Sequence, residues 1–189
     1  MADIRGIFKS VWRNLRATNA DILLVTGKLI NVKTEVALAA TTDYAAEDVL
    51  SDSASAGLAW RFRNVVERDG GGGVIVNASV KWVTTALTPR ITLYLYEAIP
   101  ASNLDDNAAN TALLAADITN YIDKIEFPAL SDLGGVSESS VSPSTVGGLP
   151  IHFTLESGRD IYGIATLNDA VTGEAAGAKM TISFKVLQL

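Results

Sequence analysis

The sequence predicts an all-β protein, an antiparallel two-sheet sandwich of jelly-roll type with about eight strands, preceded by an N-terminal amphipathic helix and arm. Three observations predict this fold. Apolar and polar residues alternate with a period of two in several segments. Short turns rich in Gly and Pro separate these segments, and Ala, Val, Thr, Ser and Gly dominate the composition, which favours sheets over helix bundles.

The first 33 residues differ from the rest of the chain in charge. They hold six basic and two acidic side chains, a net charge of +4, whereas the other 156 residues hold nine basic and nineteen acidic side chains, a net charge of −10. We therefore divide the chain into an attachment arm, residues 1–40, and a sandwich body, residues 41–189. A basic arm joined to an acidic body indicates a module that is held at a surface.

Residues 3–16 place apolar side chains at helical spacing, with basic side chains on the other side of the helix. This stripe suits packing against the body or a sister subunit, insertion into a different protein of an assembly, or binding to a membrane surface. We expect a protein interface and no membrane contact. Its residues are Ile4, Ile7, Phe8, Val11, Trp12 and Leu15, with Arg5, Arg13 and Arg16 beside them.

Residues 20–39 fit a small hairpin or an extended arm. The apolar run 22–25 precedes a turn at Thr26 and Gly27, and further apolar residues follow. Such a segment can add a strand to a neighbouring sheet or form a strand within its own body. The sequence leaves both alternatives open.

Within the body, the strongest alternation predicts half-buried strands, and weaker patterns predict the remainder. The strong segments are residues 58–62, 74–82, 91–95 and 180–186; the weaker ones are residues 48–50, 122–127, 149–155 and 161–167. Good helix formers predict one helical interruption at residues 110–117. The segment 131–148 is rich in Ser and Gly, so we expect an exposed or mobile loop there.

Composition excludes several kinds of chemistry. The chain has no cysteine, so it forms neither disulfides nor thiolate metal sites. We expect no signal peptide, because the N-terminal segment lacks an uninterrupted apolar core. The acidic body repels phosphates, so nucleic acid is not an expected partner. No apolar run is long enough to cross a bilayer.

Four patterns were weighed as sites, and each has a structural explanation. His152 is the one histidine and should point outward from a strand, without a nucleophile motif beside it. The oxygen-rich residues 103–107 match no calcium loop and indicate a helix N-cap or a solvated turn. The glycines 70–73 lack the Lys-Ser/Thr of a phosphate loop. The aromatic residues Trp60, Trp82, Tyr94 and Tyr96 predict core packing more than a sugar-stacking platform.

The body resembles a family of small virion proteins of tailed phages. The resemblance covers roughly residues 41–189 and is carried by turn-and-strand segments: residues 43–50, the glycine turn 70–73 leading into 74–80, residues 87–96, residues 106–109 and residues 157–163. It implies a β-sandwich or jelly-roll protein on the capsid exterior. It supplies no functional residues to carry over, and the arm lies outside it.

We therefore expect a non-enzymatic capsid decoration (cement) protein that binds the outer capsid surface through its arm and stabilises the shell. Its expected partners are the phage major capsid protein or another virion protein, and further copies of itself, with a trimer favoured. No cofactor is expected. The protein would be made in the host cytoplasm and reside in the virion. The alternative is a carbohydrate- or receptor-binding module of a tail or head fibre, using the loop 131–148 and exposed Tyr94 or Tyr96.

Overall fold

The computed structural model of the chain describes residues 27–39, 43–84, 86–143, 148–173 and 177–189. These residues form eleven strands and one short 3-10 helix, Ala115–Asn120. The strands are β1 (Lys28–Ala37), β2 (Val49–Leu50), β3 (Trp60–Phe62), β4 (Gly72–Trp82), β5 (Ile91–Tyr96), β6 (Tyr121–Phe127), β7 (Ser131–Asp132), β8 (Ser137–Val141), β9 (Ile151–Thr154), β10 (Ile161–Leu167) and β11 (Lys179–Gln188).

The strands form two antiparallel sheets. The six-stranded sheet has the order β1-β11-β4-β8-β7, and β9 also pairs with β4. The five-stranded sheet has the order β2-β10-β5-β6, and β3 also pairs with β10. The predicted all-β, two-sheet sandwich is confirmed.

The sheet order is that of a jelly roll. Strands β2 and β3 pair with successive parts of β10 and occupy one position, interrupted by residues 51–59. Strands β8 and β9 likewise share one position beside β4, interrupted by residues 142–150. If the two-residue edge strand β7 is left out and the remaining positions are counted in chain order, the sheets read 1-8-3-6 and 2-7-4-5, which is the eight-position jelly roll.

Large side chains from both sheets fill the space between them. Trp60 and Phe62 of the five-stranded sheet and Trp82 and Phe184 of the six-stranded sheet are at most 1% exposed. The Phe62 and Phe184 rings lie 4.2 Å apart between centroids, which places the two sheets in direct contact. Buried aromatic residues of this size contribute a large share of the apolar area that stabilises the fold.

Strand β1 belongs to the sheet, although its residues lie within the expected arm. All ten residues of Lys28–Ala37 pair with β11, and Val32 is buried in the main core. Alternation of Ile30, Val32, Thr34 and Val36 on the inner side explains why this segment pairs within its own body. The expected division at residue 40 therefore does not separate this strand from the sandwich. The amphipathic segment 3–16 lies outside the described residues.

Two expectations within the body were wrong in part. The helical interruption expected at 110–117 is present as the 3-10 helix Ala115–Asn120. Residues 110–114 are not helical, because Asn110 Oδ1 accepts the Ala112 amide and Thr111 Oγ1 accepts the Asn103 amide, bonds that replace helical ones. The loop expected at 131–148 contains β7 and β8 instead. Ser137 and Ser139 face inward with Val141 and pair with β4, so small polar residues fill positions where pattern analysis requires larger apolar ones.

The weaker strand predictions are confirmed by β2, β6, β9 and β10, and His152 is exposed as expected. The glycine run is partly strand, since Gly72 and Gly73 begin β4. A side chain at Gly73 would lie 2.8 Å from the Phe153 ring, so glycine lets β9 pack closely here.

Candidate interaction surfaces

The N-terminal segment joins the body at a defined end of the sandwich. Lys28 pairs with Gln188, and Gln188 Nε2 donates a hydrogen bond of 3.1 Å to the Asn64 carbonyl. The loops 63–71, 97–120 and 155–160 all connect strands at this same end. We call it the arm end, because residues 1–26 enter the body here.

A groove of about 600 Å³ runs between β1 and the residues around β3, at one side of the sandwich. Thr34 Oγ1 crosses it and donates a 2.6 Å hydrogen bond to the Arg61 carbonyl, which links the edges of the two sheets. Its apolar lining includes the half-buried Ile30 and Val36 and the exposed Leu58. Its charged lining residues are Lys33, Arg61, Arg63 and Asp52, so the groove has an excess of positive charge.

A second groove, of about 620 Å³, lies at the arm end and is polar. Arg61 Nη2 lies 2.7 Å from Asp160 Oδ2, and the guanidinium lies 5.8 Å from the centre of the Tyr162 ring. The hydrogen bond to Asp160 raises the pKa of Arg61. Asp160 also accepts the Asn64 amide at 2.8 Å, so these polar groups hold the loop 63–71 to β10.

The outer side of the six-stranded sheet is largely polar, and we call it the lysine face. Lys179 forms an ion pair with Glu35 at 2.7 Å, and Lys81 one with Glu138 at 3.6 Å. Leu29 and Ala37 of β1 also point outward, and the polar outward residues of β1, β4, β8 and β11 are Asn31, Lys33, Glu35, Asn77, Ser79, Lys81, Glu138, Ser140, Lys179, Thr181, Ser183 and Lys185. Four lysines and two glutamates give this face a positive balance within an acidic body.

The outer side of the five-stranded sheet is covered by residues 97–120, the covering segment. Beneath it, Tyr96, Val49 and Ile164 form a second apolar cluster, with Leu104 and Tyr121 packed against them. The Tyr96 and Tyr121 rings meet edge to face at 5.7 Å. Burial raises the pKa of Tyr96, as expected for a phenol in an apolar cluster.

Two buried carboxylates fasten the covering segment. Asp106 accepts hydrogen bonds from Tyr44 Oη at 2.9 Å and from the Ser51 amide at 2.6 Å. Asp117 accepts the Ser102 hydroxyl at 2.6 Å and the amides of Ala101 and Ser102. Burial raises the pKa of Asp117, but these hydrogen bonds outweigh it and lower the pKa overall. The oxygen-rich segment 103–107 is thus a structural anchor rather than an open turn.

The opposite end of the sandwich carries a close arginine–carboxylate pair. Arg90 Nη2 lies 2.7 Å from Asp169 Oδ1, and Arg90 Nε donates to Asp169 Oδ2 at 3.0 Å. The side-chain hydrogen bond from Arg90 lowers the pKa of Asp169 to about 2. Local sequence patterns do not predict this pair or the Arg61–Asp160 pair, because each joins residues 79 or 99 positions apart.

The expected interface residues Ile4 to Leu15 and their arginines lie outside the described residues. Trp60, Trp82 and Tyr96 are buried, as core packing predicts, and Tyr94 is half-buried. In the described parts of the chain, no three His, Asp or Glu side chains come together as metal ligands. The same parts contain no helix long and apolar enough to span a bilayer.

No family model matches this chain, and neither does any curated protein. Solved structures with a similar arrangement include a chain from the capsid of Ralstonia phage GP4, with 16% identity, a TM-score of 0.38 and coverage of 87% of this chain and 86% of that one. A chain of the cyanophage Pam1 capsid asymmetric unit has 12% identity, a TM-score of 0.37 and coverage of 87% and 88%. Murine APRIL has 11% identity, a TM-score of 0.29 and coverage of 82% of this chain and 99% of that one. These values are too low to assign the chain to a family.

Proposed function

We propose that this chain is a non-enzymatic structural protein of a phage particle, a capsid decoration protein that binds the outer surface of the shell and stabilises it. The observation that carries the proposal is the difference in charge and in apolar pattern between the N-terminal segment and the folded body. Residues 1–26 combine an apolar stripe with four basic and two acidic side chains, a net charge of +2, and they precede an acidic jelly roll whose first strand is β1. The fold alone does not decide the function, because jelly rolls also serve as lectins and enzymes.

The arm supplies the attachment in this proposal. Burial of Ile7, Phe8, Trp12 and Leu15 contributes roughly 1.5–3 kcal/mol for each side chain, before the cost of ordering the segment. Arg5, Arg13 and Arg16 would meet acidic groups of the major capsid protein or another virion protein and fix the register. A homo-oligomer, with a trimer favoured, would strengthen the attachment because its arms bind together.

The proposal is tested with the double variant Phe8→Ala/Trp12→Ala in the full-length chain. Capsids from which this protein has been stripped are sedimented with the variant. Less variant should be bound to them, because the apolar stripe no longer has its two largest side chains. The thermal midpoint of the body should not change. The matched control is Val83→Ala/Leu133→Ala, which removes two exposed apolar side chains from the body. Capsid binding by the Phe8→Ala/Trp12→Ala variant at the level of the control would refute the proposal.

The structure also decides where the arm can be removed. A chain that starts at residue 41 would lack β1 and expose one side of β11, so its behaviour would report damage to the sheet. A chain that starts at Gly27 keeps all eleven strands of the described residues. We expect this shorter chain to stay folded and to lose capsid binding, as measured by circular dichroism and sedimentation.

The receptor-binding alternative loses some of the residues it would use. Tyr96 is fully buried under the covering segment, and β7 and β8 occupy part of the loop 131–148. No observation in the described residues favours this alternative. A glycan array provides the direct comparison, and a decoration protein should bind nothing on it.

A further inference from the structure

We propose that residues 19–26 of a second copy of this chain add to the free edge of β1 as a β-strand and fill the groove beside it. This strand addition would join the subunits of the oligomer, and it rests on the proposed function only for the existence of that oligomer. The helix-forming stripe 3–16 would remain available for the capsid.

The edge of β1 can accept another strand. β1 pairs with β11 along all ten of its residues, and among the described residues no strand lies on its other side. An open strand edge presents backbone donors and acceptors that readily take up another strand. Across the groove, Leu58, Ala59, Arg61, Arg63 and Asn64 form its other side, and Leu58 is 66% exposed.

The charge of the groove distinguishes between the N-terminal segments that could fill it. Arg61 is already paired with Asp160, so Lys33 and Arg63 against Asp52 give the groove its positive balance. The stripe 3–16 is basic and would be repelled, whereas residues 17–26 contain Asp21 and no basic residue. The apolar run 22–25 matches the apolar lining formed by Ile30, Val36 and Leu58. Charge and apolarity therefore both favour residues 19–26 as the added strand.

Residues 19–26 have the length that the groove requires. Eight residues in a β-strand span about 26 Å at ~3.3 Å per residue. Residues 19–26 thus equal the stretch of β1 from Lys28 to Glu35 in length. The groove is lined by β1 residues 30–34 and 36, so a strand of this length covers most of it.

A second copy can place residues 19–26 beside β1 more easily than the same chain can. Lys28 is already paired with Gln188, so the chain's own run 22–25 could lie beside β1 only if Thr26 and Gly27 formed a tight two-residue turn. The favoured hairpin turn of this length needs a positive φ at its first residue, which a β-branched threonine resists. A longer turn would include residues of the apolar run 22–25, and those residues could then not pair with β1. The segment therefore reaches a neighbouring subunit more easily than its own sheet.

The absence of native cysteine allows a clean cross-linking test. Full-length chains carrying Leu24→Cys and Lys33→Cys are co-expressed with different affinity tags and treated with a short bismaleimide. The expected result is a covalent species that contains both tags. The control replaces Lys33→Cys by Val83→Cys, an exposed position at the opposite end of the sandwich. A two-tag species that is absent, or equally abundant with the control, overturns the proposal.

The chain's own segment is the rival occupant, and a double variant detects it. When Leu24→Cys and Lys33→Cys are placed in one chain, peptide mass mapping distinguishes cross-links within a chain from cross-links between chains. Cross-links confined to single chains overturn the proposal in favour of a hairpin. Cross-links between chains support it.

A proline substitution provides an independent measurement. Leu23→Pro removes a backbone donor from the added strand and should raise the dissociation constant of the oligomer about tenfold or more, measured by light scattering. Ala17→Pro, outside the pairing segment, is the matched control and should leave the constant unchanged. An unchanged constant for Leu23→Pro contradicts the proposal. Capsid binding that depends on Phe8 and Trp12 would survive that result, so the two proposals fail separately.

Discussion

The outer sides of the two sheets are built differently. The five-stranded sheet carries a second apolar cluster beneath the covering segment 97–120, held by the buried carboxylates of Asp106 and Asp117. The lysine face of the six-stranded sheet has exposed ion pairs and no comparable cover among the described residues. The covered side should therefore contribute to folding stability, whereas the lysine face should tolerate substitution.

The largest difference is expected at Tyr96. Tyr96→Ala removes a fully buried ring from the second cluster and should lower the free energy of unfolding by about 3–5 kcal/mol, measured by urea titration. Ser183→Ala on the lysine face should change it by no more than about 0.5 kcal/mol. Similar losses for both variants would remove the distinction between the two faces.

A smaller loss is expected at Asp106. Asp106→Asn weakens the acceptor that Tyr44 Oη and the Ser51 amide share, and the unfolding free energy should fall by about 1–3 kcal/mol. The matched control is Asp52→Asn, because Asp52 also accepts a backbone amide, that of Leu58, but at an exposed site. The control should lose less than about 1 kcal/mol. A larger loss for Asp52→Asn would mean that burial does not set the cost.

Acid should weaken the covered side through Asp117. Its pKa is lowered in the folded state, so its stabilising contribution is complete above the unfolded pKa of about 3.9 and is lost as the pH falls through the folded value. Asp117→Asn should therefore have a lower thermal midpoint than the unsubstituted protein at pH 7. The difference should shrink towards pH 2. A difference independent of pH would assign the effect to packing rather than to the carboxylate.

The smallest effect is expected on the lysine face. Lys179 and Glu35 are exposed, and water and salt screen their ion pair even though hydrogen bonding lowers the pKa of Glu35. A double-mutant cycle of Lys179→Ala and Glu35→Ala should give no resolvable coupling at physiological salt. A clear coupling that persists at high salt would show that this face is more ordered than its exposure indicates.

Sequence analysis predicted the parts of the fold in which apolar residues alternate, because one buried face per strand imposes that period. It missed β8, whose inward positions Ser137 and Ser139 are small and polar and give no such signal. It placed a helix at 110–117, whereas the 3-10 helix spans Ala115–Asn120 and the side chains of Asn110 and Thr111 accept nearby amides before it. The anchoring role of Asp106 depends on Tyr44 and Ser51, more than fifty residues away, and no local pattern indicates it.

If residues 1–26 hold the protein at a surface, as we propose, the pairing of β1 with β11 has a mechanical consequence. A pull directed along the axis of β1 meets the hydrogen bonds of an antiparallel ladder, which lie perpendicular to that axis. The force is thus shared by the whole ten-residue ladder in shear, rather than opening one bond after another. Under tension, the tether should detach from its binding surface before the jelly roll tears.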